Sequence, residues 1–296
     1  SVCIILAISW AQFIGLIPQR DLALADPAYR YTVLHDYTQQ GIVCLLLAAM
    51  AASFAQAETV RRRKIFLWIV VAAAGVNVVF LLQSRTSYLI VVPLLLFWAW
   101  RLVGGRQANW RQITLSLAIL IASASVALMT SRVQQRLAKA QQDVVEYSGQ
   151  HAANSMGIRL ELWKRTLPII ASAPLLGHGL GQWQPEYEAE VNDFAHYKDF
   201  KMGHPHQEAL LILAEQGAAG FALFLTLLVL LARYIGRLRP PQQGFYASLL
   251  LIYVTAGLAN CLWAVALHRN MFMMLLACIP FCPKPDNAVH PPVAAT

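Results

Sequence analysis

Long apolar runs recur along the chain and constrain its fold more than any other feature. Stretches such as CLLLAAMAASFA and LFLTLLVLLA are apolar all round a helix, and only 13% of the 296 residues are charged. Soluble domains carry roughly 25% charged residues, whereas an apolar helix of about 20 residues can cross a bilayer. The sequence therefore predicts an all-α polytopic membrane protein.

About eight apolar segments are recognisable, which we interpret as transmembrane helices. They cover residues 1–17, 38–57, 65–83, 86–100, 113–130, 207–232, 244–267 and 270–283. The chain begins with serine inside an apolar run, so we expect further helices to precede this sequence.

The spacing of these segments predicts four regions. They are transmembrane helices 1–5 in residues 1–130, a long, partly helical loop domain in 131–205, helices 6–8 in 206–283, and a disordered tail in 284–296. A loop as long as 131–205 is usually functional or disordered. Because this one contains several tryptophans and tyrosines, we expect it to fold.

Three basic clusters, at residues 61–64, 101–111 and 233–239, predict the orientation of the chain. Short cytoplasmic loops are enriched in Lys and Arg, and alternating the segments through the membrane places all three clusters in the cytoplasm. The loop 131–205 and the turn at 83–87 then lie on the opposite face. The net charge of +8 is explained by this topology, so we expect no nucleic-acid partner.

Arg85 lies inside the apolar run VVFLLQSRTSYLIVVPLLLF. In one continuous helix it would lie in mid-bilayer, which costs about 2.5–3.5 kcal/mol. We therefore predict a break at residues 83–87 that brings Arg85 to the outer surface. There it either binds an anion or snorkels to the interface.

Ionisable side chains also precede the apolar run at 207–232, in HPHQEALLILAEQ. A continuous helix over 206–232 would be about 40 Å long and would exceed the bilayer core, so His206 and Glu208 can stand above it. Histidine can accept a proton at neutral pH; the alternative is a capping or merely polar residue. The spacing is not that of a metal site, so we expect none.

Two glycine-containing stretches have structural interpretations. The turn at 177–181 follows no predicted strand, so it is not a dinucleotide loop; we predict that it lets backbone approach another helix. Gly217 and Gly220 are predicted to allow close helix packing. Arg159 shares a helical face with Trp163, and by itself this face could simply be solvated.

Three separated pieces of the sequence resemble the O-antigen ligase / O-antigen polymerase family of bacterial membrane proteins. They are SRTSYL at 84–89, RLELWKRTLPIIASAPLLGHGLGQW at 159–183 and HPHQEALLILAEQGAAGF at 204–221. The family forms are Ser-Arg-Thr/Ser, an Arg followed by Trp and Pro-x-x-Gly-x-Gly, and His-Asn-x-x-Leu followed by Glu-x-Gly-x-x-Gly. Order and rough spacing agree, with the long loop between the first and third pieces.

The resemblance implies a GT-C-like glycosyltransferase of the bacterial inner membrane whose active site faces the periplasm. It implies transfer of a glycan from undecaprenyl diphosphate to lipid A–core, by a metal-independent inverting reaction that needs no cofactor. Donor, acceptor and membrane lipid are the expected partners. Family members usually have about twelve helices, which agrees with the expectation of preceding helices.

The resemblance also implies roles for individual residues. By position, His206 matches the family's catalytic histidine, and Arg85 and Arg159 match two arginines that bind the donor diphosphate. Gln207 stands where the family commonly has asparagine. The supporting candidates are His204, Gln207 and Glu215.

Several alternatives share these features. An O-antigen polymerase or a protein O-oligosaccharyltransferase would use the same donor chemistry with another acceptor. A transporter or flippase of lipid-linked glycans belongs to a different class, since intramembrane charges also mark transport paths. We favour an enzyme over a transporter because the polar groups gather on one face and no internal repeat is visible.

Overall fold

The computed structural model describes residues 2–19, 31–34, 36–82, 84–102, 155–191 and 203–281, together with five isolated positions between 114 and 141. Within these residues the regular structure is entirely helical. The predicted helix at 113–130 and the predicted tail at 284–296 lie outside the described part of the chain, apart from Thr114.

The helices are named here in chain order. They are α1 (Val2–Phe13), α2 (Tyr37–Ala57), α3 (Arg61–Val76), α4 (Arg85–Leu102), α5 (Ser155–Ser172), α6 (Trp183–Val191), α7 (Glu208–Ile235), α8 (Pro240–Gly257) and α9 (Ala266–Ala277). A π-helical stretch, Asn77–Leu82, continues α3, and a single 3-10 turn, Ile279–Phe281, follows α9.

Three helical segments of the described chain are long and apolar enough to cross a membrane: α2, α3 with its π-helical extension (Arg61–Leu82), and α7. α1 is apolar but shorter. The all-helical architecture agrees with the predicted class of helical membrane protein. Eight spans and a GT-C arrangement stay predictions.

Two boundaries differ from the sequence prediction. The segment predicted at 244–267 ends as α8 at Gly257, and α9 begins at Ala266 instead of at residue 270. His268 and Arg269, which the sequence prediction left between two segments, therefore lie in the first turn of α9. Backbone N–H groups of Leu258, Ala259 and Asn260 bond back to the last carbonyls of α8, so the helix closes there.

The helical core is centred on α2, which packs against α3, α4 and α8. A chain of hydrogen bonds pairs three polar groups at the edge of this core, as a low-dielectric environment favours. Asn77, which is fully buried, donates to Ser9 Oγ at 2.9 Å, and Ser9 Oγ donates to the Tyr31 carbonyl at 2.8 Å. α7 by contrast exposes most of its apolar surface; Leu223, for example, is 72% exposed.

The two ends of the helical core differ in character. α4 and α8 pack against each other in an antiparallel orientation. At one end Arg101 donates to Gln243 Oε1 at 2.9 Å and to the Pro240 carbonyl at 2.6 Å. At the other end Asn260 Nδ2 donates to Thr86 Oγ1 at 2.8 Å. We call the first the basic end, because Arg101 and the predicted cluster at 233–239 lie there, and the second the site end.

α7 is not the continuous helix that the sequence predicted. Gly217 adopts φ 63° and ψ −166° and kinks it. The glycine turn, residues 174–181, packs against this kink through backbone hydrogen bonds. Four hydrogen bonds join the two: His178 N to Ala214 O, Gly179 N to Glu215 O, Ala218 N to Pro174 O and Ala219 N to Leu175 O, at 2.8–3.1 Å. The glycine turn therefore satisfies polar backbone groups that the kink removes from the helix.

Glycine is required on both sides of this contact. A Cβ at Gly177 would overlap the backbone of Glu215, and a Cβ at Gly217 would overlap the backbone of Leu175. The structure thus agrees with the prediction that residues 177–181 let backbone approach another helix. Gly220 differs from the prediction, because the atoms nearest to where its Cβ would stand belong to Gln216 of the same helix.

We expect Gly217→Ala to destabilise the protein by about 2–4 kcal/mol, because it combines a left-handed backbone angle with steric overlap. The midpoint of thermal unfolding in detergent should fall by several degrees. Gly75→Ala is the matched control, since no atom lies within 4 Å of the place that its Cβ would occupy. Equal midpoints for the two variants would contradict the tight backbone contact.

Candidate functional site

Arg85 occupies the first position of α4, at the site end. Ser84 precedes it and caps the helix, since its Oγ accepts from Ser87 N at 3.3 Å and its carbonyl accepts from Tyr88 N at 3.1 Å. The predicted break in the apolar run is therefore present, and it brings the half-buried Arg85 to a helix start. Backbone N–H groups at a helix N-terminus favour anions.

The turn that carries His206 has an unusual backbone. Among the described residues, His206 is the non-glycine residue with positive φ, 55°. Its backbone N–H donates to His204 Nδ1 at 3.4 Å, and the two rings contact edge to face with centroids 4.5 Å apart. Strained backbone of this kind costs roughly 1–3 kcal/mol and clusters at functional sites. His204 thus supports the turn directly.

Two neighbouring contacts fix this turn in place. The Trp163 indole of α5 donates to the Pro205 carbonyl at 3.0 Å. Gln207 caps α7, since its Oε1 accepts from Leu210 N at 2.6 Å. The longer amide of glutamine therefore serves as a cap where the family commonly has asparagine.

Arg159 lies one helical turn before Trp163 and faces the same region. Burial lowers the pKa of its guanidinium, and the nearby charge of Arg85 lowers it further, whereas Tyr37 and Asp36 act in the opposite direction. Arg159 is therefore an electrostatic neighbour of the starts of both α2 and α4. Two arginines close enough to repel each other favour an anionic ligand between them.

His206 belongs to the same electrostatic group. Burial lowers the pKa of its imidazole to about 4, and the charges of His204 and Arg159 contribute, whereas a hydrogen bond with Asn260 raises it. The ring is neutral at pH 7 as a consequence. The charge of Arg159 therefore interacts with both Arg85 and His206. The structure thus brings all three predicted side chains to the site end.

The other supporting candidate, Glu215, is placed differently. Its backbone carbonyl accepts from Gly179 in the glycine turn, and its carboxyl group lies near that of Glu208. Glu208 is buried and accepts from the Trp263 N–H at 3.4 Å. Both carboxyl groups belong to the upper part of α7, by which we mean the residues before the kink at Gly217. The described contacts of Glu215 do not reach the arginines.

Sequence reasoning missed three residues of this site: Asp36, Tyr37 and Asn260. Asp36 caps α2, since its Oδ1 accepts from the N–H groups of Thr38 at 2.7 Å and Gln39 at 2.9 Å. An aspartate directly before an apolar run is a recognised helix-start signal that could have revealed it. Asn260 follows Gly257, and this Gly/Asn pair could have indicated the end of α8.

Metal ligands are not grouped in the described part of the chain, where no cluster of three or more His, Cys, Asp or Glu side chains is suited to hold a metal ion. The nearest approximation is the His204/His206 pair. Because His204 Nδ1 accepts from the His206 backbone, its proton-bearing nitrogen is the other one.

Removing the charge of Arg159 should raise the pKa of His206, because that charge is one of the causes that lower it. Diethyl pyrocarbonate modifies neutral imidazole, so its reaction with His206, followed by peptide mass spectrometry across pH 4–8, reports this pKa. The midpoint should move to higher pH in Arg159→Gln. Arg237→Gln, at the basic end, should leave the midpoint unchanged. Equal midpoints in the wild type and both variants would show that the charge of Arg159 does not affect the pKa of His206.

The described fold and site define a helical membrane protein with two half-buried arginines and a neutral histidine at one end of its helical core. Residues 69–225 match the sequence profile of the family described as O-antigen ligase. This match spans more than half of the chain and includes all three motifs of the sequence resemblance, which it confirms. The chain belongs to the O-antigen ligase family.

A relative from Haemophilus influenzae, described as an uncharacterized protein, is 28% identical over 134 residues. The aligned part covers 43% of this chain and 34% of that protein. The chain thus aligns with about a third of the length of this curated relative.

Proposed function

We propose that the site end catalyses glycan transfer from undecaprenyl diphosphate to lipid A–core, with no metal ion. The observation that carries this proposal is the electrostatic proximity of Arg159 to both Arg85 and His206. It combines two phosphate-binding cations with one neutral base, which are the groups that a diphosphate leaving group and a hydroxyl nucleophile require.

Arg85 and Arg159 bind the donor diphosphate. Guanidinium groups stay charged and bind phosphate oxygens in a bidentate manner. As the glycosidic bond to the diphosphate breaks, negative charge grows on the departing oxygen, and two arginines can stabilise it as Mg²⁺ does in other transferases. The start of α4 adds backbone N–H groups beside Arg85.

His206 accepts the proton of the acceptor hydroxyl. As that oxygen bonds to the anomeric carbon, the bond from this carbon to the diphosphate breaks, and the electron pair leaves with undecaprenyl diphosphate. One in-line displacement inverts the anomeric centre. A bound diphosphate also offsets the positive charge of Arg159, so the basicity of His206 rises when the donor is present.

The membrane setting agrees with a lipid-borne donor. Residues 61–64, Arg101 and residues 233–239, the described members of the predicted cytoplasmic clusters, lie away from the site. By the positive-inside rule this supports a site end that faces the periplasm. α7 exposes large apolar side chains from Leu223 onward, further into the candidate span than the site, and they offer a surface for a polyprenyl chain. The head group would meet the arginines while its tail stays in lipid.

Reconstitution of the full-length protein in proteoliposomes tests the proposal and its alternatives. Undecaprenyl-linked glycan is supplied with one of three acceptors: lipid A–core, a second lipid-linked glycan or an acceptor protein. A ligase modifies lipid A–core; product with either other acceptor alone would indicate a polymerase or a protein O-oligosaccharyltransferase. No transfer in any mixture, with movement of the donor across the bilayer, would contradict the enzyme and favour transport.

A further inference from the structure

The glycine turn presents three leucines to its surroundings. Leu175, Leu176 and Leu180 are 72%, 77% and 75% exposed. The one polar side chain of residues 174–181, His178, is instead held by the protein: its Nε2 lies 2.9 Å from the Ile169 carbonyl and its Nδ1 lies 3.3 Å from Glu186. The outer surface of the turn is therefore uncharged and rich in leucine.

The position of the turn along α7 sets its depth. Its backbone is bonded to residues 214–219 of α7, which is a candidate membrane span. Leu223 of α7 is 72% exposed and lies roughly 8 Å further along the helix axis than Ala218. The leucines of the turn are as exposed as Leu223, and the turn that carries them is bonded to the same candidate span.

The backbone of the turn also suits a membrane environment. Non-helical backbone at membrane depth is tolerated where its polar groups are satisfied within the protein. In the glycine turn the N–H groups of Gly177, His178 and Gly179 donate to protein carbonyls, and the carbonyls of Pro174 and Leu175 accept from α7. These backbone groups would not have to be exposed to lipid.

We propose that the glycine turn is embedded in the outer part of the bilayer, with Leu175, Leu176 and Leu180 in contact with phospholipid acyl chains. The sequence places this turn in a loop domain outside the membrane, so the contact adds a lipid-binding surface to that domain. It also fixes the height of α5, and hence of Arg159, above the bilayer core. This inference does not depend on the proposed reaction.

Photo-crosslinking in native membranes tests it. A diazirine amino acid is introduced by amber suppression at Leu176, and phospholipid adducts are measured by mass spectrometry after irradiation. Leu223 is the positive control, and Lys164, exposed on α5, is the negative control. Adduct yield at Leu176 near that of Leu223, and at least about tenfold above Lys164, supports the proposal. A yield equal to that of Lys164, or cross-links to protein alone, would overturn it.

Discussion

Replacing His206 with asparagine is expected to reduce glycan transfer by about 10²–10⁴-fold, the usual contribution of a general base. Asparagine tolerates positive φ better than most residues, so this variant removes the imidazole while it keeps the backbone of the turn. The measurement is the lipopolysaccharide ladder in cells that lack the chromosomal copy of the gene, together with the transfer rate in proteoliposomes.

His206→Gly and His178→Asn complete this experiment. His206→Gly also relieves the positive φ, so it should be folded and inactive. His178 lies in the glycine turn and bonds to Ile169 and Ser172; its variant should act on stability before it acts on rate. Normal ladders with folded His206→Asn would remove the imidazole from the mechanism.

Arg85→Ala is expected to lower transfer by about 10–100-fold or more, because a hydrogen bond to a charged group contributes roughly 1.5–3 kcal/mol. Arg85→Lys should also be impaired, since an ammonium group keeps the charge but not the planar bidentate geometry. Donor KM and kcat in proteoliposomes distinguish loss of binding from loss of leaving-group stabilisation.

Arg62→Ala is the matched control, because Arg62 is exposed at the start of α3, in the predicted cytoplasmic cluster at 61–64. It should leave both kinetic constants unchanged. Full activity of Arg85→Lys would reduce the role of Arg85 to that of a simple charge, and full activity of Arg85→Ala would exclude it from donor binding.

The sequence predicted the features that follow from local hydrophobicity and charge cost. A charged residue in an apolar run indicated the break before Arg85, and the structure has a helix start there. Closely spaced glycines without a preceding strand indicated a close backbone approach, which residues 177–181 make. Both predictions needed only the cost of burying a charge and the small size of glycine.

Prediction from the sequence failed where a local feature depends on contacts with a distant segment of the chain. Nothing near Gly217 announces that residues 174–179 supply hydrogen-bond partners to a kink in α7, so a continuous helix was the natural prediction. Asn260 was absorbed into an apolar segment because its neighbours are apolar, although its partner Thr86 lies on another helix. Pairings of this kind depend on tertiary contacts that periodicity does not encode.

The union of the glycine turn with the kink of α7 has a mechanical consequence. α5 leads directly into this turn, and the turn is fastened to the upper part of α7 by main-chain atoms, so no change of rotamer can release it. The upper part of α7 begins immediately after His206, and α5 carries Arg159 and holds Pro205 through Trp163. A movement of α5 away from the membrane would therefore move the His206 imidazole together with the Arg159 guanidinium. Arg85, on α4, would keep its position. Such a movement would separate both side chains from Arg85 together.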